Sequence, residues 1–279
     1  MKIGIFQSML TKYGIEETAQ KIRENNLDAV QLYFSFNGVQ ISSKELIEDR
    51  ELCERIRSAF ANEGVEISGL CGYQNLVNPD EAARGNAVEE LKRYIELCER
   101  FDTNLVVTEV GSANPESNWA DHPNNYTAEI LNLAAQELQE LCDYAAKFHV
   151  AIGIEPHFAQ VAKNPKSIRR ILDLVKRENL KVIFDPANLI NSETADRADE
   201  LLEELFALNG NDIALLHAKD TKIVKGKAVF VAAGTGVLNY TLYGQLAKKY
   251  GYRKPVILEY MSEAAIPAAR EVVERAFQG

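Results

Sequence analysis

The stretches AIGIEPH (151–157), KVIFDPANL (181–189), IALLHAKD (213–220) and VILEYM (256–261) decide the reading of this chain. Each holds a short apolar run closed by a residue that can bind a metal or move a proton: Glu155, Asp185, His217 and Glu259. A brief Val/Ile/Leu-rich run bounded by polar residues reads as a strand buried on both faces, the pattern of a parallel sheet. In a parallel barrel every strand's C-terminal end opens on the same face, so residues distant in sequence can meet at one point. Three carboxylates and an imidazole are then delivered together.

Working outward, strand and helix patterns alternate along the whole sequence. Strands are expected at 2–6, 28–33, 65–70, 104–109, 150–155, 181–185, 213–217 and 256–259, each followed by a helical pattern. The helices are expected at 15–26, 43–62, 79–101, 126–148, 165–178, 194–208, 240–250 and 264–277. Ser42 and Glu45 have capping-box spacing, and Asn164 before Pro165 suits a helix start. Eight right-handed crossovers in succession predict a single (β/α)8 TIM barrel spanning residues 1–279, with no linker-like segment to divide it. The longer loops should follow strands. The polar stretch GSANPESNWADHPNN (111–125), which carries the only tryptophan, Trp119, is expected to serve as a lid or pocket wall.

Composition narrows the classes. At 279 residues and 46% hydrophobic, the chain can bury one barrel core. A formal charge of −10 opposes a general electrostatic grip on nucleic acid. No apolar stretch approaches the roughly 20 residues that span a bilayer, and MKIGIFQ enters a strand directly, so a cytoplasmic protein without membrane contact is expected. Cys53, Cys71, Cys98 and Cys142 lack CxxC spacing and read as packed thiols. Whether the chain forms a homo-oligomer is left open.

Three like charges at a barrel mouth repel one another unless a cation or protons neutralise them, so Glu155, Asp185, His217 and Glu259 are read as ligands of one divalent ion. A mostly hard oxygen set favours Mn²⁺ first, with Mg²⁺, Co²⁺ or Zn²⁺ as alternatives.

The motifs IEPH at Glu155, FDPANL at Asp185, HAKD starting at His217, GTGVLNY at 234–240 and LEY at Glu259 give the chain a family likeness. It resembles the xylose isomerase-like barrel superfamily, and within it the sugar phosphate isomerase/epimerase group that includes ketose 3-epimerases and inosose dehydratases. That resemblance covers essentially the whole chain. It implies a small carbohydrate substrate, and it implies that Glu155 and Glu259 form an acid/base pair on opposite faces of a ketose while all four residues hold the metal. Proton removal beside a carbonyl, through an enediolate, would then give isomerisation or epimerisation. A lyase or dehydratase on a keto-sugar or keto-inositol uses the same groups. A non-catalytic sugar-binding protein and an AP endonuclease-like enzyme are the weaker alternatives. The nuclease branch holds a zinc cluster with several more histidines, where this chain has Asn188 and only four histidines in all.

Other residues are candidate substrate contacts. His157 follows Glu155 by two and should overlie the pocket; Glu109 closes the fourth strand and suits a hydroxyl or a supporting hydrogen bond. Lys219 shares its strand face with His217 and suits an oxyanion or, better, a ligand carboxylate. Asn188 and Trp119 complete the set, with Tyr73, Gln74 and Asn75 as pocket walls. The GTG at 234–236 reads as a turn leading into the last helix, and Lys222, Lys225 and Lys227 as a solvated loop.

Overall fold

A computed structural model describes residues 1–278. Its strands are β1 (Ile3–Phe6), β2 (Ala29–Leu32), β3 (Ser35–Phe36), β4 (Val39–Gln40), β5 (Glu66–Cys71), β6 (Leu105–Glu109), β7 (Ala151–Glu155), β8 (Leu180–Phe184), β9 (Ile213–Val224), β10 (Lys227–Ala232) and β11 (Val256–Leu258). Eight of them pair in parallel in the order β1, β2, β5, β6, β7, β8, β9, β11, and β11 pairs back to β1. The sheet is therefore a closed barrel. Around it lie α1 (Ile15–Glu24), α2 (Ser43–Glu48), α3 (Arg50–Asn62), α4 (Glu81–Leu97), α5 (Ala128–Ala146), α6 (Pro165–Val175), α7 (Ala198–Asn209), α8 (Tyr240–Lys249) and α9 (Ile266–Gln278).

Alternation along a strand decides which residues face the barrel axis. Ala29, Leu105, Val107, Ile183, Ala214, Leu215 and Ile257 pack into one buried cluster, separate from the larger core between strands and helices. Two positions after Ala29, Val107, Ile183, Leu215 and Ile257 come Gln31, Glu109, Asp185, His217 and Glu259, all buried. Thus the apolar layer fills the barrel and the next layer, at the C-terminal end, is polar. Register holds these ends level: Glu109 pairs with Glu155, and His217 with Ile257.

Several local expectations need correction. The helix expected over 43–62 is two, because Asp49 leaves the helical conformation (φ −109°, ψ 92°) and its side chain accepts from the Leu52 amide as a new cap. The strand expected to stop at His217 runs on to Val224 and turns back as β10, so Lys222 and Lys227 lie in a hairpin rather than a loop. Lys225 and Gly226, both at positive φ (50° and 75°), supply the two-residue turn that matches strand twist. That hairpin also separates β9 from its helix, so strand and helix do not alternate strictly. The GTG turn leads into α8, with α9 still to come. Asp220, fully buried, accepts from the amides of Thr221, Gly236 and Leu238 and so pins that turn. A Cβ on Gly236 would stand 2.2 Å from Asp220 Oδ1, which explains glycine there. All four cysteines are buried and free. Among the described residues no helix is long and apolar enough to cross a membrane.

Candidate metal and active site

Glu155, Asp185, His217 and Glu259 converge at the C-terminal end of the barrel, each offering one donor atom, and those atoms lie within 4.8 Å of one another. Two donors lying across one ion at roughly 2.0–2.2 Å stand at most about 4.4 Å apart, so the four atoms are near ligand spacing and would draw together around an ion. Asp185 Oδ2, His217 Nδ1 and Glu259 Oε2 are buried without a well-aligned hydrogen bond, their neighbours being one another and the Lys219 ammonium. Buried polar atoms of this kind are costly unless something pairs with them, and three of them aimed at one point suit a cation. Their surroundings are ordered accordingly. His217 Nδ1 is 3.0 Å from Glu259 Oε2, 3.6 Å from Glu155 Oε1 and 3.8 Å from Asp185 Oδ2.

The far side of the imidazole is fixed by Gln31, whose role the sequence reading missed. Gln31 Oε1 lies 2.7 Å from His217 Nε2, and Gln31 Nε2 donates to Tyr73 Oη and Cys71 Sγ. With its amide committed as donor on those two, Gln31 can only accept from the histidine. Nε2 therefore carries a proton, and Nδ1 is the nitrogen that faces the cluster, where a metal ion would stand in place of a second proton. The signal was present: Gln31 is a polar residue inside an apolar strand, on the same face as Ala29.

Charge within the cluster is shared. Lys219 Nζ stands 2.8 Å from Asp185 Oδ2 and 3.1 Å from Glu259 Oε1, as the pairing reading expected, and lies 4.6 Å above the Phe230 ring. Burial opposes its ammonium, but Asp185, Glu259 and Glu155 raise its pKa further. Glu155 and Glu259 are buried too, which alone would raise them. Their cationic neighbours win and hold both below the ordinary carboxylate value: His217 and then Lys219 for Glu155, Lys219 and then His217 for Glu259. His217 is pulled well above the usual imidazole value despite burial, by the three carboxylates. Protons and a cation thus compete for the same place.

Glu155 is further restrained by Asn188, whose Nδ2 donates to Oε1 at 2.8 Å, and by a short hydrogen bond from Tyr73 Oη to Oε2. Burial and the Glu155 charge push the Tyr73 phenol well above its usual pKa, so it remains a donor.

Above this floor opens a cavity of about 670 Å³ lined by Glu109, Glu155, His157, Asn188, Lys219 and Glu259. Tyr73, Gln74, Asn75 and Trp119 also line it. All five residues proposed from sequence as substrate contacts border this space. His157 accepts from the Ala159 amide and is held neutral by burial and by Lys219, its pKa pushed down to about 4. Glu109 accepts from Asn118 Nδ2 and Gln160 Nε2, both at 2.9 Å, and burial pushes it up to about 7. Asn118 and Gln160 were not foreseen. The 111–125 loop does wall the pocket, through Asn118 and Trp119. It starts at Gly111, where φ is +91° and a Cβ would lie 2.0 Å from Asn75 Oδ1. His122 caps a short 3₁₀ turn in this loop, and His149 is exposed.

A family model described as xylose isomerase-like TIM barrel matches residues 19–276. The chain belongs to that family. Among relatives of this xylose isomerase-like barrel, an uncharacterised protein of Methanocaldococcus jannaschii is 26% identical over 280 residues, covering 98% of this chain and 88% of the other. An inosose dehydratase of Glaesserella parasuis is 22% identical over 144 residues, 47% of this chain and 48% of the other. Among solved structures, the 3-keto-D-glucoside 4-epimerase YcjR of E. coli superposes with a TM-score of 0.76 over the whole of both chains, at 18% identity, a likeness of fold.

Proposed function

We propose that this protein is a divalent-metal-dependent isomerase or epimerase of a sugar or sugar phosphate, acting by proton transfer beside a carbonyl. The observation that carries the reading is the pairing of Glu155 and Glu259. Both are buried at the floor of one cavity with His217 between them. Glu155, Asp185, His217 and Glu259 are the proposed ligands, with Mn²⁺ the first choice and Mg²⁺, Co²⁺ or Zn²⁺ acceptable to the same donors. When bound, the ion would polarise the substrate carbonyl and offset the charge that develops on its oxygen.

The chain's own residues supply the rest. Both glutamates have depressed pKa values and so are ionised bases at neutral pH. One accepts the proton from the carbon next to the carbonyl; the other takes up a proton from solvent and delivers it to the opposite face of that carbon, which inverts the centre, and the first then releases its proton to solvent. Tyr73 and Asn188 orient Glu155; Lys219 orients Glu259 and keeps it charged. His157, Glu109, Asn188, Lys219 and Trp119 are the proposed substrate contacts. We read the chain as one domain over 1–279, working in the cytoplasm on a small carbohydrate without nucleic-acid or membrane partners.

A lyase reading is favoured by one observation. Glu109, pushed up to about 7, keeps a proton on a fraction of molecules at neutral pH beside the same cavity, and such an acid can protonate a departing hydroxyl. Exhaustive chelation followed by add-back separates metal-dependent chemistry from simple binding. Activity on a ketose, keto-inositol or keto-glycoside panel should vanish and return with Mn²⁺, Co²⁺ or Mg²⁺, and product analysis distinguishes epimer from dehydrated product. Full activity in metal-free protein refutes the proposal.

A further inference from the structure

The cavity is larger and differently lined than a free hexose requires. Even at the roughly 30 Å³ that each molecule takes up in liquid water, twelve non-hydrogen atoms fill about 360 Å³, little more than half of the space. The cavity measures about 670 Å³. Its outer part is aromatic. Trp119 is 59% exposed and meets His157 edge-on at 5.2 Å; Phe230 and Tyr260 meet edge-on at 5.4 Å, with Tyr260 half exposed. The backbone beneath both projecting rings is held. Asn118, next to Trp119, is tied to Glu109 at the end of β6, and Tyr260 sits in the left-handed region at φ +57°, directly after Glu259. A bulky residue keeps that conformation only where its surroundings impose it.

Charge points the same way. Among the residues lining the cavity the one permanent cation is Lys219, and it is committed to Asp185 and Glu259. Lys222, Lys225 and Lys227 are exposed and outside the lining. Glu109, Glu155 and Glu259 face the same space. A dianionic phosphate would meet carboxylates without a free guanidinium or ammonium to receive it.

Resting on the carbohydrate reading above, we infer that the substrate is an unphosphorylated keto-sugar carrying a second sugar ring, whose C–H faces stack against Trp119, Phe230 and Tyr260. Aromatic faces offer broad apolar contact to such a ring, while Gln74 and Asn118 meet its hydroxyls.

A matched series tests this: D-fructose, D-fructose 6-phosphate and isomaltulose, the 6-O-glucosyl form of the same ketose, each presented to the Mn²⁺-loaded protein. Occupancy is read from the fluorescence of Trp119, the sole tryptophan, and turnover from hydrogen exchange with solvent. The disaccharide should bind at least tenfold more tightly than fructose and be exchanged with at least tenfold higher kcat/KM. The phosphate should gain nothing over fructose. Phe230→Ala should cut the preference for the disaccharide about tenfold, read by both signals. Equal handling of disaccharide and free ketose, or preference for the phosphate, overturns this inference and leaves the carbohydrate reading standing. Neither quenching nor exchange with any of the three overturns both.

Discussion

Replacing Gln31 with Leu isolates the group that sets the histidine's proton. Gln31 is fully buried and its Oε1 is 2.7 Å from His217 Nε2, so leucine fills a similar volume while removing the acceptor. In the metal-free variant the imidazole can change tautomer or turn. In the metal-bound variant it must keep Nε2–H directed at a methyl group, so the loss falls on the bound state. Leaving a buried donor unsatisfied costs about 1–3 kcal/mol, and loss of such a supporting hydrogen bond typically lowers metal affinity about 10- to 100-fold. The assay is calorimetric titration of Mn²⁺ into chelator-stripped protein, with circular dichroism to establish that the variant is folded. Gln31→Glu, which retains an acceptor, should bind at least as tightly as the unaltered protein. If folded Gln31→Leu binds Mn²⁺ within twofold of the unaltered protein, the tautomer argument is wrong.

Glu155→Gln and Glu259→Gln should each lower turnover by roughly 10²-fold or more, the scale of general acid/base catalysis, with metal affinity falling less; near-normal rates in both would exclude the two-carboxylate mechanism. Glu109 is a carboxyl whose folded pKa, about 7, exceeds its ordinary value of 4.5. Its protonated form is therefore favoured by folding, and the stability it contributes is full below pH about 4.5 and lost as pH rises through about 7. Chemical melts of Glu109→Gln should lack that decline, and an unchanged slope would count against it. Asp220→Ala leaves three buried or half-buried amides without their acceptor and should cost roughly 3 kcal/mol, with Asp220→Asn costing less; a loss under about 1 kcal/mol in equilibrium unfolding contradicts the pinning role.

What the sequence disclosed followed from how strongly each feature repeats. Buried parallel strands are continuous apolar runs, so the eight barrel strands and the ligand-type residues closing them were visible, and the C-terminal-face rule gathered Glu155, Asp185, His217 and Glu259. Two-residue periodicity puts Lys219 on the His217 side of its strand, within reach of the ligand carboxylates. Capping chemistry located α6 through Asn164 and α2 through Ser42. The break at Asp49 was hidden because 43–62 keeps a helical pattern across it, and a lone Asp carries little weight against that. The β9–β10 hairpin escaped notice because β9 changes partway from a buried strand to a half-exposed one, although Lys225–Gly226 marks the turn. Gln31, Asn118 and Gln160 were missed for another reason. Each acts through a hydrogen bond to a partner far along the chain, and one strand's pattern says nothing of its partner's loop.

The central claim, that Glu155 and Glu259 move a proton at the carbon beside a carbonyl in a metal-loaded site, is met most directly by nuclear magnetic resonance in D₂O. The keto-sugar panel is incubated with Mn²⁺-activated protein, after which the ion is removed before spectra are taken. One deuteron should enter at the carbon next to the carbonyl, with inversion there, and only when the ion is present; the Glu155→Gln/Glu259→Gln double variant should leave that carbon fully protonated. Incorporation at an undiminished rate by the double variant, or by protein stripped of metal, would contradict the account.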